Sequence, residues 1–130
     1  MPDMKVAITS PQAPDAIGPY SQATRAGGFL YLSGQIALDP LTGALIPGDV
    51  GAQTERVMAN LCAVLAAASL SFDHVVRATI YLVDLADFAK VNEIYGRSFR
   101  PPYPARSTVQ VSALPRGAQV EIELLALVGA

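Results

Sequence analysis

The chain is 130 residues long, 52% hydrophobic and only 15% charged, with nine Lys and Arg against eleven Asp and Glu. That length fits one domain spanning 1–130, and the shortage of charge excludes an intrinsically disordered chain, which needs the opposite balance. A formal net charge of −2 argues against a nucleic-acid-binding surface.

In chain order, residues 5–8 are a short apolar stretch with strand character. Pro11, Pro14 and Pro19 fix their φ angles and hold an extended segment that ends at Gly18-Pro19-Tyr20. Residues 21–26 and 29–35 then flank Gly27-Gly28, a two-residue hairpin signal. Asp49 caps a helix running to about residue 68, with Val57, Leu61, Val64, Leu65 and Ala68 at helical spacing on one apolar face. Residues 74–83 alternate as a strand does: Val76, Ala78, Ile80 and Leu82 one way, Arg77, Thr79 and Tyr81 the other. Asp84 caps a second helix whose stripe is Leu85, Phe88, Val91 and Tyr95, stopped by Pro101, Pro102 and Pro104. Two strands close the chain. In residues 105–111, Arg106, Thr108 and Gln110 share a face. In residues 118–127, Val120, Ile122, Leu124 and Ala126 share one face, and Glu121, Glu123, Leu125 and Leu127 the other.

The order β-β-β-α-β-α-β-β predicts an α+β fold, a six-stranded and mostly antiparallel sheet with two helices on one face. No helix is left to cover the other face. Leu125 and Leu127 stand on it, which favours cover by another subunit.

One His (His74) and one Cys (Cys62) exclude a four-ligand structural zinc site and an internal disulfide. The first fifteen residues have no apolar core of a signal peptide, and the sixteen-residue uncharged run 57–72 is short for a membrane span, so a soluble cytoplasmic protein is expected. There is no G-x-S-x-G, G-x-G-x-x-G or Walker motif. His74 reads as a surface histidine and Cys62 as a small core residue.

Arg106 opens a strand in a charge-poor region. Its fork can grip a carboxylate with two parallel hydrogen bonds, or pair with a glutamate of the neighbouring strand. Glu121 or Glu123 can position water or shuttle a proton in a partly dry cleft, or simply face solvent. Tyr20 follows Gly18-Pro19 and Ser33 precedes Gly34. Polar groups beside glycine at strand ends often line pockets, although plain turn chemistry is the commoner reason for such residues. Asn92, one residue past Val91, reads as a helix-surface amide.

Five ordered blocks carry a resemblance over essentially the whole chain: Gly18-Pro19-Tyr20-Ser21-Gln22; Ser33-Gly34-Gln35; Asp84-Leu85 with Phe88 and Val91-Asn92; Pro104-Ala105-Arg106-Ser107; and Val120-Glu121-Ile122-Glu123. Together they resemble the Rid family, also called YjgF or L-PSP, of reactive-intermediate imine and enamine deaminases. The resemblance implies a chorismate-mutase-like fold and a homotrimer with a central β-barrel, the helices outside and the ligand clefts between subunits. It implies hydrolysis of short-lived 2-imino acids to 2-keto acids and ammonia with no cofactor, and a small 2-imino or 2-keto acid as ligand. Carried over by position, Arg106 matches the substrate-carboxylate clamp and Glu121 the residue that orients water. Tyr20, Ser33, Gly34, Asn92 and Pro115 match cleft-lining positions. Thr108 stands where many members have Cys, which implies retained deamination without thiol chemistry. Ser69 stands where Gly commonly ends the first helix, which implies a strained helix end. Two other readings stay open: a non-catalytic binder of keto or amino acids, and a ribonuclease or translation inhibitor, the latter opposed by the acidic balance and the lone His.

Overall fold

The computed structural model describes residues 4–129. Its main elements are strands β1 (Val6–Ile8), β2 (Ala23–Ala26) and β3 (Phe29–Gln35), helix α1 (Val50–Ala67), strand β4 (Val75–Leu82), helix α2 (Phe88–Gly96), and strands β5 (Ala105–Gln110) and β6 (Val120–Leu127). They build one six-stranded mixed sheet in the order β1-β2-β3-β6-β4-β5. Only the β4–β5 pair is parallel, with α2 in the crossover. The expected element order and architecture hold.

The core lies between the sheet and α1. Leu30, Leu32, Ala78, Ile80, Leu82, Ile122 and Leu124 meet Val57, Leu61, Val64 and Leu65, the helix stripe expected from the spacing. Burying each such large aliphatic side chain contributes roughly 1.5–3 kcal/mol. Asp49 caps α1 by accepting the Ala52 amide at 2.9 Å. Two buried amides on α1 fasten the surrounding chain. Asn60 donates to the Leu38 carbonyl at 3.0 Å, and Gln53 accepts the Gln119 amide at 2.9 Å. No helix among the described residues is long and apolar enough to cross a membrane.

Three local readings are corrected. Val76 is exposed and Val75 is in the core, because the β4–β6 register shifts between Val75 and Arg77. A bulge there resets the alternation by one residue, which the strand's own pattern does not reveal. Cys62 is exposed on α1 rather than buried, since its neighbour Leu61 takes the core-facing position. Asp84 caps a single 3-10 turn, Leu85–Asp87, by accepting the Ala86 amide, and the α-helix begins at Phe88. Leu85 and Phe88 are consequently exposed, and Ile94 joins Val91 and Tyr95 on the buried face.

His74 is tied into the turn after α1, where its Nδ1 accepts the Ser71 amide at 3.1 Å. Ser69 does occupy the left-handed region, at φ 61°, and closes the helix with the Leu70 amide on the Leu65 carbonyl and the Ser69 amide on the Ala66 carbonyl. This pair of hydrogen bonds is the pattern that glycine normally serves. Ser69→Gly is expected to stabilise the fold by about 0.5–1 kcal/mol, the steric cost of a non-glycine residue here less the extra unfolded-state entropy of glycine. The check is a higher urea midpoint at unchanged slope. An unmoved midpoint would show that serine bears no strain.

Gln22 explains a block that sequence patterning leaves obscure. Its buried side chain accepts the Ser10 amide and donates to the carbonyls of Ser10 (3.2 Å) and Pro14 (2.8 Å), pinning the proline-rich segment to the sheet. Gln22→Leu orphans these buried groups, and a cost of roughly 3 kcal/mol is expected at 1–3 kcal/mol per unsatisfied group. Thermal melting, with faster exchange of the Ser10 amide, checks it.

Candidate functional site

All the candidate binding and catalytic residues but Thr108 line one or the other of two cavities of the chain. The first, about 490 Å³, is lined by Tyr20, Ser33, Gly34, Pro115, Arg116 and Glu121 among others. The second, about 450 Å³, is lined by Asn92, Tyr95, Gly96, Tyr103, Pro104 and Arg106. The register explains the split. Glu121 pairs with Tyr81, on the sheet face that the helices leave open, whereas Arg106 pairs with Ala78, on the helix side. Glu121 and Arg106 of one chain therefore point to opposite faces. Thr108 lines neither cavity, and its hydroxyl is buried without a hydrogen-bond partner.

The first cavity is shaped by a break in the β3–β6 ladder. Leu32 pairs with Leu124 and Gln35 with Ile122, so β3 carries one extra residue at Ser33-Gly34. Bulges of this kind re-aim side chains and end pairing. Ser33 donates its hydroxyl to the Ser21 carbonyl at 2.6 Å, which ties the bulge to the residue after Tyr20. Gly34 is needed for space. A Cβ there would lie 2.9 Å from Cδ of Glu121, so the carboxylate rests directly over the bare glycine backbone.

The strand pattern offered two glutamates on one face, and their surroundings separate them. Glu123 accepts the Tyr81 hydroxyl at 3.0 Å and lines a different groove, with Tyr31, Arg77 and Thr79. That hydrogen bond, then burial and the two glutamate charges, raises the Tyr81 phenol above its ordinary value. Glu121 lines the first cavity and makes no side-chain hydrogen bond among the described residues. Burial, and secondarily the charge of Glu123, pushes the Glu121 carboxyl above the ordinary carboxylate value. A carboxyl so tuned can exchange a proton nearer neutrality than a solvated one.

In the second cavity Arg106 donates through Nη1 to Oδ1 of Asn92 at 2.7 Å, and its guanidinium carbon lies 5.5 Å from the Phe88 ring centre and 5.1 Å from that of Tyr95. Among the described residues it has no carboxylate partner, so the structural ion pair is not formed. The remaining guanidinium N–H groups are free to meet an anion. Asn92, read from the sequence as a surface amide, is the side chain that holds Arg106. Sequence reasoning missed Phe88 and Tyr95 here because both fitted the apolar stripe of α2. It also missed Arg116, which takes φ 58° on the rim of the first cavity and donates to the Gly43 carbonyl at 2.7 Å.

The profile of the family described as "Endoribonuclease L-PSP" matches residues 10–128. Protein DfrA of Myxococcus xanthus is 64% identical over 123 residues, covering 93% of this chain and 94% of that protein. The 2-iminobutanoate/2-iminopropanoate deaminase of Mus musculus is 48% identical, covering 94% of this chain and 90% of its own. Among solved structures, RidA from an Antarctic Psychrobacter superposes with a TM-score of 0.89 at 44% identity, covering 94% of this chain and 98% of that one. Escherichia coli TdcF, solved with bound serine, superposes with a TM-score of 0.88 at 41% identity, with the same coverage. Matched along nearly its whole length, the chain belongs to the Rid family of L-PSP proteins.

Proposed function

We propose that the protein is a 2-imino acid deaminase, hydrolysing small imines of the 2-iminopropanoate and 2-iminobutanoate type to 2-keto acids and ammonia. The observation that carries this reading is the pairing of an uncommitted, pre-positioned guanidinium, Arg106, with a carboxyl of raised proton affinity, Glu121. The mouse relative bears the name of that activity, and TdcF was solved with an amino acid carrying the same α-carboxylate. Arg106 takes the substrate carboxylate in a two-point grip, which fixes the imine carbon in space. Glu121 accepts a proton from water as its oxygen bonds to the imine carbon. That carboxyl passes the proton to the imine nitrogen, giving the carbinolamine; it then takes the hydroxyl proton and hands it to the same nitrogen as the C–N bond breaks, leaving the 2-keto acid and ammonia. Tyr20, Ser33, Gly34 and Pro115 shape the water side of the cleft, and Asn92 the clamp side. The chain's own residues supply every group used in this scheme.

One protomer keeps the two groups on opposite sheet faces, so the scheme requires a cleft between copies. We place it in a homotrimer. Support comes from the open face of the sheet, where Phe29, Tyr31 and Leu127 are exposed beside Leu125, apolar side chains gathered on a face that neither helix covers. The test is keto-acid release from an imine generated in situ by an amino-acid oxidase, with sedimentation in parallel. Faster release by a trimer is expected. A monomer at micromolar concentration overturns the shared cleft. Thermal stabilisation by keto acids without turnover overturns the catalytic reading in favour of a binding protein.

A further inference from the structure

The α2 positions Phe88, Asn92 and Tyr95 fall at i, i+4 and i+7, so they form one stripe along the helix. All three meet the same group. Asn92 takes Nη1 of Arg106 at 2.7 Å, and the Phe88 and Tyr95 rings lie 5.5 and 5.1 Å from its guanidinium carbon. Both distances are within the range in which an aromatic face attracts a cation.

The two rings have different anchorage. Tyr95 is buried and backed by Phe99, at 4.5 Å between ring centres, which in turn meets Phe72 edge-on at 5.2 Å. It is a fixed platform. Phe88 is 38% exposed at the start of the helix, and core packing does not account for so large an apolar ring there. The Arg106 guanidinium does.

We infer that Phe88 and Tyr95 are positioning residues: with Asn92 they form an aromatic seat that holds the Arg106 guanidinium in its carboxylate-gripping pose before any ligand arrives. This inference rests on the carboxylate-clamp reading of Arg106 and deepens it. Arginine has many rotamers, and one left free in an open cleft loses that freedom on binding. A seat that fixes it beforehand lowers this cost and shows up in the binding of carboxylate ligands. The seat leaves Nε and Nη2 unengaged, which suits a two-point grip.

The test uses Phe88→Leu, which keeps apolar bulk without a π face, and Phe88→Tyr, which restores the face. The first readout is the Arg106 Nε–Hε resonance in the ligand-free protein. Ring currents should displace it from the free-arginine position in the wild type and in Phe88→Tyr, and the displacement should shrink in Phe88→Leu. The second readout is affinity for 2-oxobutanoate, followed on that same resonance. About a fivefold weakening is expected in Phe88→Leu, the size of a partly exposed cation–π contact, with recovery in Phe88→Tyr. Turnover, where present, should show the change in KM with kcat within about twofold. An unshifted Arg106 resonance in the wild type, or equal affinity in Phe88→Leu and wild type, overturns the seat. Neither readout depends on turnover, so failure of the deaminase reading alone leaves the aromatic seat intact.

Discussion

Arg106→Ala is expected to lower kcat/KM for a small 2-imino acid by about 10²- to 10³-fold, because two charge-assisted hydrogen bonds to the substrate carboxylate are lost at roughly 1.5–3 kcal/mol each, not fully additively. The loss should fall on both KM and kcat. The grip binds the ground state and also fixes the imine carbon relative to the water. Arg106→Lys separates charge from shape. It keeps the positive charge but offers a compact ammonium in place of a planar fork, so only part of the activity should return. Fold stability is expected to change little in either variant, since Arg106 is exposed and its side chain's only hydrogen bond among the described residues is to Asn92. Steady-state kinetics beside a thermal melt checks the pair. Full activity in Arg106→Ala would remove Arg106 from the clamp.

The large pattern of the fold was legible in the sequence because it follows from repeated chemistry. Val57, Leu61, Val64 and Leu65 repeat at helical spacing, and β6 alternates over its whole length, so both buried faces could be named before the structure. What stayed hidden depends on partners. The bulges at Val75-Val76 and Ser33-Gly34 are offsets between two strands, and neither strand records the offset in its own alternation. The choice between Glu121 and Glu123 was hidden for a related reason. The two are equivalent by period two, and their partners across the ladder distinguish them: the Tyr81 hydroxyl on Glu123 and the bare Gly34 backbone under Glu121. The segregation of Arg106 from Glu121 comes from topology. β5 and β6 flank β4, and the pairing register sets Arg106 opposite Ala78 and Glu121 opposite Tyr81, positions of opposite parity and so on opposite faces. Phe88 shows the converse limit. An aromatic at helical spacing reads as core, yet the 3-10 turn ahead of α2 carries it to the surface above a guanidinium.

Glu121→Gln is the second variant of large expected effect, and Gly34 supplies its control. Removal of a positioned general base or acid costs about 10²- to 10⁴-fold, and a fall in kcat at the low end of that range is expected here with KM changed only a few-fold. In the wild type, activity should rise with pH through the Glu121 titration, at a pH above the ordinary carboxylate range because burial and Glu123 favour the protonated form. That limb should vanish in Glu121→Gln. Stability moves the other way. A carboxyl whose folded pKa is raised contributes stability below its unfolded pKa, which is lost as pH rises through the folded value. Glu121→Gln should therefore be the more stable protein at neutral pH, and the difference should disappear in acid. Gly34→Ala tests the same carboxylate without touching it. The added methyl would occupy the space where the Glu121 carboxylate rests, 2.9 Å from Cδ, so the side chain must swing away. The fall in kcat should approach that of Glu121→Gln. In the double variant the two losses should not add, because both remove one interaction. If Gly34→Ala and Glu121→Gln multiply their effects, the glycine acts on the cleft independently of Glu121, and the bulge has a role other than seating that carboxylate.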